Sequence, residues 1–280
     1  MNFPSWLIKK TPKSQNIKKL RLIINDPKIH TVCEEAKCPN IGECYSNKSL
    51  TFLILGDTCT RNCSFCAVKN GKPKPPDPTE PKRIADAAKK LGLKYVVVTS
   101  VTRDDLKDGG AEQFVKTILE LQKEECKVEV LIPDFKGNKE SLKKVVDASP
   151  KVLNHNIETI PRFYPIIRPK SGYLRSLILL ARAKEIKQNI CTKSGLMVGL
   201  GETEEEVIKT LKDLRTFWVD VVTIGQYIKP SKDCVNIVEY VKPEKFEKYK
   251  NIALELGFKY VESGPFVRSS YKAYKILERV

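Results

Sequence analysis

LTFLILGDTCTRNCSFC, residues 50–66, joins a seven-residue apolar run to three closely spaced cysteines. The run, 50–56, has strand length and ends in Gly56 before Asp57, which reads as a β-strand buried on both faces and ending in a loop. That loop carries Cys59, Cys63 and Cys66 as C-x3-C-x2-C. Three thiolates bind three irons of a cubane 4Fe–4S cluster and leave the fourth iron open to another ligand. Upstream, Cys33, Cys38 and Cys44 stand as C-x4-C-x5-C in CEEAKCPNIGEC. Two such triplets imply two clusters with different tasks.

Zinc is the competing reading, but zinc sites usually complete four ligands from paired C-x2-C elements or histidines. Neither triplet has such a partner, and the chain holds only His30 and His155. A disulfide framework is disfavoured because MNFPSWLIKK lacks the apolar run of a secretory signal. The isolated Cys126, Cys191 and Cys234 are expected to be small buried apolar residues.

The 280 residues suffice for one large domain with extensions, and 41% hydrophobic content excludes wholesale disorder. Apolar stretches are strand-length, far short of a membrane span. Cytoplasm is the expected location. The net charge of +16 asks for an acidic partner or for a lysine-rich solvated surface. Residues 1–30 carry seven Lys or Arg against Asp26 alone.

Downstream, strand-like and helix-like runs alternate. KYVVVTS, KVEVLIP, VLNHNIE, CTKSGLMVGL and VDVVTIGQYI read as strands. Between and after them lie helical patterns at IADAAKKLG, AEQFVKTILELQKEE, KESLKKVVDAS, YLRSLILLARAKEIK, TEEEVIKTLKDLR and PEKFEKYKNIALELG. Gly92 is a helix stop, Thr203 an N-cap and Pro243 a helix opener. Six strand–helix units with β-branched strands imply a parallel sheet covered by helices, either a full or partial barrel or a doubly wound open sheet. In either form, function belongs where strand-to-helix loops converge, and the second triplet lies there.

This strand–loop context and Phe65 before the third cysteine resemble the signature of radical S-adenosylmethionine enzymes. The C-x4-C-x5-C triplet and the RSSY run from Arg268 to Tyr271 narrow the resemblance to the lipoyl synthase family. PSWL (4–7), TSVTRDDLKDGGA (99–111), NHNIET (154–159), RP (168–169) and GLGET (199–203) fit the same family. The resemblance implies an α/β fold, a partial (β/α)6 barrel. Its core would span residues 50–257, with extensions at 1–49 and 258–280. It implies two 4Fe–4S clusters and S-adenosylmethionine, whose reductive cleavage yields a 5′-deoxyadenosyl radical. Cys59, Cys63 and Cys66 would hold the radical-generating cluster. Cys33, Cys38, Cys44 and Ser270 would hold an auxiliary cluster that donates sulfur to carbons six and eight of a protein-bound octanoyl-lysine. Arg268 and Ser270 are the implied catalytic residues.

Cofactor contacts are expected from Phe65, Thr99, Ser100, Asn154, Asn156, Glu158, Gly199 and Gly201. His155 is expected to be a core or loop histidine, and Arg103, Asp104 and Asp105 could equally be a solvated cluster. The implied partners are octanoylated lipoyl carrier domains, such as acyltransferase subunits of 2-oxoacid dehydrogenases and the glycine cleavage H protein. An electron donor such as ferredoxin or flavodoxin is also implied. A monomer without nucleic-acid or membrane partners is expected. The alternatives are a methylthiotransferase acting on tRNA or protein, and a non-catalytic zinc-stabilised RNA-binding module.

Overall fold

The computed structural model describes residues 3–9 and 15–278; Lys10 and Lys13 of the basic leader lie outside them. Six strand–helix units follow one another. They are β1 (Thr51–Ile54) and α1 (Glu80–Leu91), β2 (Tyr95–Ser100) and α2 (Ala111–Lys123), and β3 (Lys127–Leu131) and α3 (Lys139–Asp147). The second half holds β4 (Val152–Asn154) and α4 (Tyr173–Ile186), β5 (Cys191–Val198) and α5 (Glu204–Thr216), and β6 (Val221–Gln226) and α6 (Pro243–Glu255). A seventh strand, β7 (Tyr260–Gly264), completes the series.

Strands β1 to β7 pair in sequence order and all in parallel. A two-residue strand, His30–Thr31, pairs antiparallel with the outer edge of β1. The end strands do not pair with each other, so the sheet is a partial barrel, as expected. Every residue of β1 and β6 is buried, which is why these strands read as unbroken apolar runs rather than alternations.

Local signals set the helix boundaries. Gly92 caps α1 in the left-handed region at φ 67°. Thr203 and Glu206 form a reciprocal capping box on α5, and Pro243 opens α6. Strand β4 ends at Asn154, four residues sooner than its pattern suggested. The chain then bends, and Glu158, at φ 65°, rejoins the sheet through a single bridge to Leu196.

The core joins both faces of the sheet to the N-terminal region, with Leu20, Ile24 and Tyr45 in the same apolar cluster as Phe52, Ile84 and Phe114. Helix Gln15–Ile24 accounts for part of this contact. Inside the barrel, the Lys193 ammonium lies 2.8 Å from Glu129, and both side chains are essentially fully buried. Tyr95 donates to the second Glu129 oxygen at 2.6 Å. Among the described residues, no helix is long and apolar enough to cross a membrane.

Candidate active site

The C-x3-C-x2-C loop leaves β1 through Leu55 and Gly56, both with positive φ. The Glu80 carboxylate at the start of α1 accepts from Leu55 N at 3.1 and 3.0 Å, fixing the strand end. A short parallel pair, Thr58–Cys59 with Lys69–Asn70, closes the loop at its base. Thr60 N donates to Thr102 O at 3.0 Å, Ser64 N to Ile167 O at 3.1 Å and Val235 N to Ser64 O at 2.9 Å. The loop is thus tied to the segments that follow β2, β4 and β6.

One buried guanidinium holds the loop from below. Arg61 donates to Asp104 through Nε at 2.8 Å and Nη2 at 2.9 Å, to Asp134 at 2.6 Å and to Ser171 at 3.0 Å. Asp134 is fully buried, and burial pushes its carboxyl upward. Arg61 outweighs this and brings it down to about 2. Backbone N–H groups of Arg61 and Thr102 approach Cys59 Sγ at 3.4 and 3.3 Å, leaving two donors aimed at a thiolate.

The first triplet sits on two short helices. Cys33 lies in Val32–Glu35, capped by Thr31 Oγ1, and Cys44 lies in Ile41–Ser46. Cys38 N donates to Cys33 O at 2.9 Å, bringing the intervening turn back on itself. The C-terminal Arg268–Tyr271 run folds against this region. Asn40 Nδ2 donates to Phe266 O at 2.6 Å, and Tyr271 OH donates to Glu43 at 2.9 Å.

Cys33, Cys38, Cys59, Cys63, Cys66, Arg268 and Ser270 all line one cavity of about 880 Å³ at the C-terminal ends of the strands. Cys44 stands behind this surface, close enough to Cys38 for its thiol to feel it. Burial pushes Cys33 up to about 12 and Cys44 up to about 11, and Cys38 adds to both. Burial pushes Cys66 up to about 12 and raises Cys63, each reinforced by neighbouring thiols. Crowded thiols that raise one another's pKa fit a site built for cationic iron, which ligates thiolates and displaces their protons. Among the described residues, no three His, Cys, Asp or Glu groups converge on a single-ion position.

Phe65, Thr99, Ser100, Asn156 and Glu158 line the same cavity. Ser100 Oγ, Asn156 Oδ1 and Arg168 Nε are buried there without a hydrogen-bond partner, which fits a polar cofactor. Gly195 forms part of the floor. A Cβ there would lie 2.8 Å from Asn156 Oδ1, so only glycine leaves room at that point. Glu158 is raised by burial, although Arg168 and a 3.0 Å bond from Asn156 oppose that effect.

Three expected contacts lie elsewhere. Asn154 points into the barrel, its amide 3.5 Å from Glu129, because it is the last regular residue of β4. Gly199 and Gly201 do not line the cavity. Their φ values of 100° and 104° form the turn into α5, where the Glu202 carboxylate accepts from Gly199 N and Leu200 N. His155 is a satisfied core histidine. Its Nδ1 donates to Ile132 O at 2.8 Å, so Nε2 accepts from Ser176 at 3.0 Å. Asp104 belongs to the Arg61 clamp, whereas Arg103 is buried against Asp105.

Arg61, Gly195, Met197, Gly225 and Tyr227 also line the cavity without having been singled out in the sequence, and Arg168 was quoted in the RP pair but given no role. Only Arg61 left a usable trace, a lone cation inside the triplet matched by the Asp104–Asp105 pair. Cys234, expected as a buried apolar residue, lines the cavity with its thiol 3.6 Å from Cys66 O.

The Radical SAM superfamily profile matches residues 53–214. The FeFe-hydrogenase maturase HydG from Carboxydothermus hydrogenoformans shares the fold, with a TM-score of 0.59 at 15% identity, over 81% of this chain and 65% of that one. The lipoyl synthase of Caldanaerobacter subterraneus subsp. tengcongensis is 55% identical, over 96% of this chain and 95% of its own. That of Caldicellulosiruptor bescii is 57% identical, over 96% and 94% respectively. Identity at this level, over nearly the whole of each chain, means that the chain belongs to the lipoyl synthase family of the Radical SAM superfamily.

Proposed function

We propose that this enzyme inserts two sulfur atoms, at carbons six and eight, into an octanoyl group carried on a lysine of a lipoyl carrier domain. Cys59, Cys63 and Cys66 would hold the radical-generating cluster, and Cys33, Cys38, Cys44 and Ser270 the auxiliary one. When bound, these groups supply the electron that cleaves S-adenosylmethionine to a carbon radical and the sulfide that is transferred. The observation that carries the reading is a single cavity bordered by five of the six cysteines and Ser270.

The chain's own part is placement and exclusion of water. Ser100 and Asn156 offer polar atoms to the amino acid or ribose part of the cofactor, and Arg168 offers charge to its carboxylate. Leu53, Leu131, Leu196, Met197 and Val267 give the cavity an apolar wall suited to a fatty chain. Arg268 is half-buried at the cavity wall, and desolvation pushes its pKa down while nearby Cys38 and Glu158 work against that. It stands as a fixed cation beside the auxiliary site. Lys37, Lys69 and Lys229 border the cavity, where they would meet an acidic carrier domain. The electron would come from a low-potential carrier such as ferredoxin or flavodoxin. Six ligand thiols call for a reducing compartment, the cytoplasm.

Anaerobic single turnover on an octanoyl-lysyl peptide tests the reading. Mass spectrometry should show two sulfur atoms gained per peptide, with two 5′-deoxyadenosines released. Sulfur gain without loss of sulfide from the protein would refute the donor role. Ser270→Cys should keep a cluster, because thiolate also ligates iron, yet slow sulfur transfer at least ~tenfold. A harder oxygen ligand leaves iron more readily than sulfur does. Unchanged turnover in that variant would remove the role given to Ser270.

A further inference from the structure

Three stretches remote in sequence meet at one ammonium group. Lys9 Nζ donates to Asn40 Oδ1 at 3.0 Å and is ion-paired with Glu43. It also lies 4.7 Å from the Phe266 ring centroid and 5.4 Å from that of Tyr271. Asn40 in turn donates to Phe266 O, and Tyr271 to Glu43. Every member of the group therefore touches at least two others.

We propose that Lys9 is a positioning residue for the auxiliary cluster. By knotting Asn40 and Glu43 to the Phe266–Tyr271 turn, it keeps Ser270 beside Cys33, Cys38 and Cys44. The inference rests on the reading of that cluster given above.

The turn needs such support. Between β7 and the short 3-10 helix Ala273–Glu278 it has no regular structure of its own. Its backbone bonds are local, Val267 N to Gly264 O at 3.0 Å and Tyr271 N to Arg268 O at 2.9 Å. A serine ligand gives iron a weaker hold than thiolate, so its presence at the cluster depends on how firmly the protein presents it. Lys9 is suited to that task. Its side chain is only 27% exposed and that of Glu43 24% exposed, and the ammonium lies over two ring faces. The knot also explains why a leader segment accompanies the catalytic barrel: it ties together the N-terminal and C-terminal halves of one ligand set.

The test uses the full chain with Cys59, Cys63 and Cys66 replaced by alanine, so that only the auxiliary cluster can be reconstituted. Anaerobic transfer of iron to a chelator is followed by the loss of cluster absorbance. Lys9→Gln should speed iron loss ~tenfold, as expected for losing a charge-assisted contact. It should also raise amide hydrogen exchange across residues 266–272. Lys9→Arg, which keeps the charge and the ring contacts, should restore both. Iron loss and exchange unchanged in Lys9→Gln would overturn the inference, as would a Lys9→Arg variant as labile as Lys9→Gln. A parent that takes up no iron would instead sink the two-cluster reading, and this inference with it.

Discussion

Arg61 shows how much a single side chain carries. It sits between Cys59 and Cys63 and reaches two aspartates from different strand ends, so it sets where the loop stands. Arg61→Lys keeps the charge but loses the fork, and a lysine cannot bond Asp104 in bidentate fashion while also reaching Asp134. We expect turnover to fall ~100-fold, the scale of a small misplacement of reacting groups. Electron paramagnetic resonance of the reduced protein should show a changed signal from one cluster only. His155 makes a different prediction. Burial brings its pKa down from 6.5 to about 4, so the folded chain refuses a proton that the unfolded chain accepts. Its contribution is complete above pH ~6.5 and is lost as pH falls toward 4, with ~2 kcal/mol already lost at pH ~5. Urea midpoints at pH 7 and 5 should therefore differ less in His155→Gln than in the parent. At this scale the grouping of the cysteine triplets was legible because their spacing is written along the chain. Arg168 and Gly195 gained their surroundings only when distant strands met.

Among the elements, the legible ones were those with strong local punctuation. The N-cap at Thr203, the glycine stop at Gly92 and the proline start at Pro243 fixed α5, α1 and α6. The regular part of β4 stopped short because the chain turns inward after Asn154 to bring Asn156 and Glu158 to the cavity. No hydrophobic period encodes that bend. Strand β7 was missed because its run is short and only half-buried, and pairing with β6 decides its state. Two glycines separate elements that must touch from a floor that must stay open. A Cβ on Gly225 would sit 2.0 Å from Val267 O, and one on Gly195 2.8 Å from the end of a side chain. Gly225→Ala should cost ~1–3 kcal/mol of stability, because backbone has to move. Gly195→Ala should leave the urea midpoint nearly unchanged while weakening S-adenosylmethionine binding, measured calorimetrically.

For the whole molecule, the +16 charge becomes meaningful only together with the cavity rim. Association with an acidic carrier domain should be fast at ~0.01 M salt and slow ~tenfold by ~0.15 M, as the screening length shrinks from about 30 to about 8 Å. Stopped-flow mixing at the two salt concentrations checks this, and charge reversal at Lys69 should flatten the dependence. The parallel architecture was legible from alternating strands and helices. Whether the sheet closed was not legible from periodicity and came only from the family resemblance, since closure depends on how far the last strand stands from the first. That unclosed sheet has a consequence for a substrate that arrives tethered. A complete ring would oblige the lysyl arm to be threaded end-on, like cord through an eyelet, with its bulky owner stopped outside. A wall with a seam would let the arm be laid in sideways, treated at two carbons with one between them, and lifted out without ever being cut loose.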